Sequence, residues 1–237
     1  MMKFLPLAVF GVTSLWMQTA QAVEVTGGSV GLSFSAFAEE TSVNRVAVDG
    51  SVELGFNRNI SVQIDLAYSD FNFTGLNTTT LGLHGIYHLS DTTSLGAFYV
   101  NEDANGGGDL DIFGVEAGHD AGQFEVEGYL ARVNGGGADG DMLGVSARYE
   151  LPTALGVSGS YDRVSGSGAD FRKFAVQLDR DVSPSVNLYA EVGTARLNVA
   201  GLTDSEPFVG LGGKFVFGAQ RGATFGQRGF TRILPGL

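Results

Sequence analysis

Cysteine is absent from the 237 residues, which excludes a disulfide framework, thiol chemistry and thiolate metal sites. Basic residues are scarce: 14 Lys and Arg stand against 26 Asp and Glu, for a net charge of −12. No nucleic acid is expected as a partner of such an acidic chain. Histidine is rarer still, with three copies, so little material is present for a hydrolytic or metal centre. Beyond the first 22 residues no apolar run approaches the length of a membrane-spanning helix, about 18 residues.

What is abundant is glycine, 36 residues, and phenylalanine, 17 residues, arranged with a period of two. One unit is written twice. Asn105-Gly-Gly-Gly-Asp-Leu-Asp-Ile-Phe-Gly-Val115 is followed by Asn134-Gly-Gly-Gly-Ala-Asp-Gly-Asp-Met-Leu-Gly-Val145. Each copy is a glycine-rich acidic loop, an alternating run, a tight turn and a second alternating run. Phe113, Val115 and Ala117 alternate with Gly114, Glu116 and Gly118; Phe124, Val126 and Leu130 alternate with Glu125, Glu127 and Tyr129. Alternation of this kind is the period of a β-strand and not of a helix. The repeat is one hairpin long, and a hairpin array with one apolar and one polar face must satisfy both.

The first 22 residues read differently. A basic Lys3, an apolar stretch from Phe4 to Met17 and the small-x-small triplet Ala20-Gln21-Ala22 predict a secretory signal peptide, 1–22, removed on export. The mature chain is expected to begin near Val23, with a β-domain over 23–217 and a tail over 218–237.

Twelve alternating runs are expected. They include Gly28 to Phe37, Arg45 to Phe56, Ile60 to Ser69, Thr79 to Leu89, Ser94 to Asn101, the four runs of the doubled unit, Phe171 to Val182, Val186 to Val199 and Glu206 to Phe217. The fifth is short and its facing ambiguous, so ten strands is the alternative count. Connections alternate between long Gly-, Ser- and acid-rich segments, such as Ala38 to Asn44 and Ala200 to Ser205, and short ones, such as Asn57 to Asn59 and Ser183 to Ser185. This is the pattern of an all-β fold, a transmembrane antiparallel up-and-down β-barrel with long extracellular loops and short periplasmic turns. An even count leaves both ends of the barrel on the periplasmic side.

The polar faces carry Asp49, Glu53, Asp65, His84, Glu116, Glu125, Glu127, Arg148, Asp162, Lys173, Asp179, Glu191 and Lys214. Charges cannot fill the dry interior of a sandwich without partners, so these thirteen are the expected lining of a wet lumen, and its acid excess predicts cation preference. Aromatics near strand ends, among them Tyr68, Phe71, Phe73, Tyr99 and Phe171 at one end and Phe56, Tyr87, Phe124, Tyr149 and Phe217 at the other, are expected as two interfacial bands. His84 and His88, four residues apart on one strand, lie about 13 Å apart and cannot share a metal on a straight strand. No metal or cofactor is expected.

Gly212-x-x-Phe215-x-Phe217 resembles the C-terminal signal that the barrel-assembly machinery reads in Gram-negative outer-membrane barrels. With the leader and the alternating connections, the whole mature chain resembles a small porin of the bacterial outer-membrane β-barrel superfamily. The resemblance implies a location in the cell outer membrane, with lipid and lipopolysaccharide around the barrel, and passive diffusion of ions or small hydrophilic solutes through a narrow acidic lumen. A closed structural barrel without transport is the alternative, and an outer-membrane hydrolase the reading from a different class.

The final segment, Gly218 to Leu237, holds Arg221, Arg228 and Arg232 and no acid. It does not alternate cleanly and is expected as a basic periplasmic extension. A second expectation is that this cationic tail enters the acidic mouth of the barrel and plugs it.

Overall fold

The computed structural model describes residues 23–72, 75–106, 108–135, 139–166, 168–218 and 222–235; the expected leader, Phe73 and Arg221 lie outside them. Twelve strands run in chain order: β1 (Glu24–Phe37), β2 (Asn44–Gly55), β3 (Ile60–Phe71), β4 (Leu76–Ser90), β5 (Thr93–Ala104), β6 (Asp109–Asp120), β7 (Phe124–Gly135), β8 (Gly140–Leu151), β9 (Leu155–Gly166), β10 (Ala169–Ser183), β11 (Val186–Val199) and β12 (Leu202–Phe217). Each is antiparallel to its sequence neighbours, and β12 pairs with β1 from Gly28↔Phe217 to Phe37↔Phe208. The ring is closed, so every strand has a hydrogen-bonded neighbour on both sides, the condition for a sheet to sit in lipid.

The alternation sets which way each side chain points. On β3, Ile60, Ile64, Leu66 and Tyr68 are outside and largely exposed, while Ser61, Gln63, Asp65 and Ser69 are buried inside. On β4, Leu81, Leu83 and Tyr87 face out and His84 is completely buried. The facing of β5 is settled by pairing: Leu95 and Tyr99 point out, Ser94, Phe98, Val100 and Glu102 in. The outer surface is a continuous aliphatic and aromatic band that only lipid could cover without cost.

The connections at the loop end, 38–43, 72–75, 105–108, 136–139, 167–168 and 200–201, are shorter than the spacing of the runs suggested. Strand pairing simply continues into the glycine- and acid-rich segments. Between β11 and β12 it reaches Val199↔Leu202, and the turn is Ala200-Gly201, with φ of 51° and 84°. Positive φ at both central residues is the mark of the primed hairpin turns whose twist matches that of the strands.

Two features differ from the sequence reading. Phe71 and Phe171, expected in an interfacial band, are 0% and 5% exposed and point into the barrel, because their parity is that of the polar face and parity decides the side. Phe171 joins Phe37, Phe98, Val100, Ile112, Val133, Met142 and Phe208 in an apolar core inside the loop-end half. The lumen is therefore wet only toward the turn end. The tail is the second difference. Instead of extending as a solvated periplasmic segment, its described part, 222–235, lies inside the barrel and includes α1 (Phe230–Ile233), with Ile233 in the apolar core and Phe230 and Leu234 against it. The physical reason is that β12 ends beside the mouth, and the tail's apolar residues find dry partners only within.

Candidate channel lumen

At the turn end the barrel holds a cavity of about 1770 Å³. Arg148 organises one wall. Its guanidinium donates to both carboxylate oxygens of Asp179, at 3.0 Å from Nε and 2.8 Å from Nη2, and at 3.0 Å to Glu125. Asn187 also donates to Asp179, at 3.2 Å. Farther along β10 Lys173 pairs with Glu191 at 3.1 Å and lies over the Phe208 ring, while Tyr129 donates to Asp162 at 2.9 Å. Asp49 lies across Gly31 on β1, whose register partner on β12 is Lys214, so both charges share the inner face.

The middle tier is more acidic and drier. His84 sits between two carboxylates, 2.6 Å from Glu116 and 3.0 Å from Asp65, and stacks on Phe98 with ring centroids 5.6 Å apart. Glu53 and Glu102 are 3% and 2% exposed. Carboxylates this buried are tolerable only with donors or cations against them. The tail supplies them.

Glu53 accepts the Thr224 backbone N–H at 2.7 Å. The Gln63 carboxamide donates to the Phe225 carbonyl at 2.9 Å and accepts its N–H at 3.1 Å. Glu127 accepts the Gly226 N–H at 3.2 Å. Gln227 donates to the Gly50 carbonyl at 2.8 Å. Arg228 is bound by Glu116 at 2.9 Å and by Glu127, with its guanidinium over the rings of Tyr129 at 4.6 Å and Phe98 at 5.9 Å. Glu102 accepts the N–H groups of Phe230 and Thr231, at 3.0 and 3.2 Å, and the Thr231 hydroxyl at 2.8 Å. A carboxylate at the first N–H groups of the helical turn α1 satisfies donors that have no partner within it. Arg45 completes the contact by donating to the Thr231 carbonyl.

All thirteen residues expected to line the lumen thus lie on inner faces. The structure joins Asp65, His84, Glu116 and Glu127 in one cluster with Arg228, and Glu125, Arg148 and Asp179 in another; Glu191 and Lys173 form a separate pair. Of the tail arginines, Arg228 is buried in the cluster, Arg232 is exposed and lines the cavity, and Arg221 lies outside the described residues. Among the described residues no group of three or more His, Asp or Glu is placed to hold a metal ion.

Sequence reasoning missed Gln63, Glu102, Tyr129 and Phe225. Glu102 lies beyond the expected run Ser94 to Asn101, but β5 continues through it. Gln63 and Tyr129 were on the right face, but nothing local marks them as partners of the tail. Phe225 packs against Gly96 and Gly118: a Cβ at these positions would lie 2.8 and 3.2 Å from its ring. Two inward glycines on adjacent strands were the available signal for a slot.

Comparisons agree with this geometry. The sequence model of a family described as Gram-negative porin matches residues 18–200. Among solved structures, the KdgM porin superposes with a TM-score of 0.62 at 11% identity, over 80% of this chain and 99% of that one. The NanC porin gives 0.57 at 11% identity, over 78% and 98%. An outer membrane channel from Pseudomonas putida F1 gives 0.54 at 14% identity, over 84% and 98%. The comparison with curated proteins finds no match. At these identities the structural likeness shows the fold.

Proposed function

The chain belongs to the Gram-negative porin family, and from that premise we propose that it is a narrow, cation-preferring channel whose lumen is occluded by its own C-terminal tail. As a porin it is an outer-membrane β-barrel that passes small solutes and is not an enzyme. The finer reading is carried by one observation: residues 224–231 thread the middle of the barrel, anchored to the wall from Thr224 to Thr231, with Arg228 held by Glu116 and Glu127. A cationic segment drawn into an acidic tube neutralises charges that would otherwise repel one another across a low-dielectric space. When it leaves, Glu53, Asp65, Glu102, Glu116 and Glu127 face the path, and acidic rings favour cations. In this reading the turn end is periplasmic, lipid and lipopolysaccharide surround the outward band, and Gly212, Phe215 and Phe217 of β12 present the signal for the barrel-assembly machinery.

Planar-bilayer recording under a salt gradient tests this. The full chain is expected to give small steps with a cation-selective reversal potential. A deletion of Gly218–Leu237, checked for folding by its heat-modifiable gel mobility, is expected to give larger ones; the ring closes through β1 and β12 without the tail. An anion-selective potential overturns the charge argument, and an unchanged conductance in the folded deletion overturns the plug. The apolar loop-end core favours a second reading, a closed structural barrel, which silence from both chains would support.

A further inference from the structure

The contacts that hold the tail have a form beyond what occlusion requires. Those to residues 224–226 engage only main-chain groups: Glu53 on the Thr224 N–H, the Gln63 carboxamide on both polar atoms of Phe225, and Glu127 on the Gly226 N–H. Any extended peptide offers the same groups. Beside the Gln227 carboxamide, which donates to the Gly50 carbonyl, two side chains are read separately. The Phe225 ring enters the slot over Gly96 and Gly118. Three residues on, the Arg228 guanidinium enters a cage made by two carboxylates and two aromatic faces, where its side chain is 8% exposed.

Part of the cage is held by the wall and not by its occupant: Tyr129 donates to Asp162 at 2.9 Å. Glu116 is fixed from behind by His84, which Asp65 fixes in turn, at 2.6 and 3.0 Å. Its shape also selects. A planar fork can meet two carboxylates at its edge while its face lies on Tyr129, whereas a compact ammonium cannot do both. It is reached from solvent, because Glu127, Tyr129 and Arg228 all line the turn-end cavity.

We propose that Phe225-Gly226-Gln227-Arg228 occupies in cis a lumenal binding site for guanidinium-bearing peptides, and that such peptides are the solutes that compete with the tail for the lumen. This rests on the reading of the tail as a plug and names the ligand class of the same site. A tethered segment acts at an effective concentration in the millimolar range, so a free peptide displaces it only when its own concentration, weighted by relative affinity, is comparable.

Two measurements on the full chain test the site. In the Arg228→Ala variant, isothermal calorimetry with methylguanidinium is expected to show binding about tenfold tighter than methylammonium, since only the former fills the vacated fork site. Adding Glu116→Gln and Glu127→Gln is expected to abolish it. Equal affinities, or no binding of either ion, overturn the proposal. In the unsubstituted chain, acetyl-Phe-Gly-Gln-Arg-amide at millimolar concentration is expected to speed hydrogen exchange of the Thr224, Phe225 and Gly226 amides, and the same peptide with Gln in place of Arg to leave it unchanged. Equal effects of the two peptides also overturn the proposal, whether or not the variant folds. Conductance separates the two readings. If deletion of Gly218–Leu237 leaves conductance unchanged while calorimetry on Arg228→Ala reports the cage, the plug fails and the site stands. If conductance rises without guanidinium preference, the site fails alone.

Discussion

Replacing Phe225 with alanine weighs the tail against the wall. The ring is 2% exposed and fills a slot floored by Gly96 and Gly118. Truncating a buried phenylalanine costs about 3–5 kcal/mol in a closed core. Thr224 and Gly226, on either side, line the turn-end cavity, so water can enter the vacated space and the lower end, about 3 kcal/mol, is the better figure. At about 1.4 kcal/mol per tenfold, the population with the tail unseated should rise about a hundredfold. Trypsin reads this population, because the Arg228 side chain is shielded while the tail is seated and cleavage tracks the open fraction when reseating is fast. The cleavage rate after Arg228 is therefore expected to rise about a hundredfold, with the barrel itself intact by gel mobility. Gly96→Ala should act in the same direction, since its Cβ would lie 2.7 Å from Glu116 Oε1 and 2.8 Å from the Phe225 ring. The two substitutions should not add, because removing the ring removes one of the clashes. A Phe225→Ala rate within about threefold of the original, below 1 kcal/mol, or strict additivity of the pair, refutes the seating argument.

Two further perturbations follow from the same geometry. His84→Leu removes the donor between Asp65 and Glu116, both nearly fully buried, and should lower the stability of the folded barrel by about 3–5 kcal/mol; an unshifted urea midpoint in lipid vesicles would count against the cluster as a structural element. Leu83→Arg places a charge on the outward face of β4 and should cost about 2–4 kcal/mol near mid-membrane. Gln177→Arg, on the inner face of β10 toward the wet cavity, should cost little in the same titration, and equal costs would refute the assignment of faces.

Much of this architecture is written locally. The parity of Ile60, Ile64 and Leu66 against Gln63 and Asp65 fixes a strand and its two faces, because side chains on a strand alternate whatever lies beyond it. The same rule, applied strictly, places Phe71 and Phe171 inside; the expectation of an aromatic band overrode it and was the weaker argument. The connections were less legible. Glycine-rich acidic segments have no apolar alternation, yet backbone pairing between neighbouring strands continues through Asn134↔Asp111 and Asp141↔Ser165 without needing it. Glu102, on the extension of β5 past its apolar alternation, is hidden from the sequence for that reason, and with it the carboxylate that holds α1.

By itself, then, the sequence determined the alternating strands, the two faces of all but the fifth and the acid excess of the inner one, since each depends on neighbours two residues away or on a sum of charge; the count of twelve over ten was settled by pairing. The tertiary structure decided what fills the barrel. Whether a basic tail floats or threads depends on where β12 ends, on the width left when twelve strands close, and on whether Glu116, Glu127, Tyr129 and Phe98, on β5 to β7, converge on one point with Arg228. Such convergence depends on ring closure, and no stretch of chain contains it.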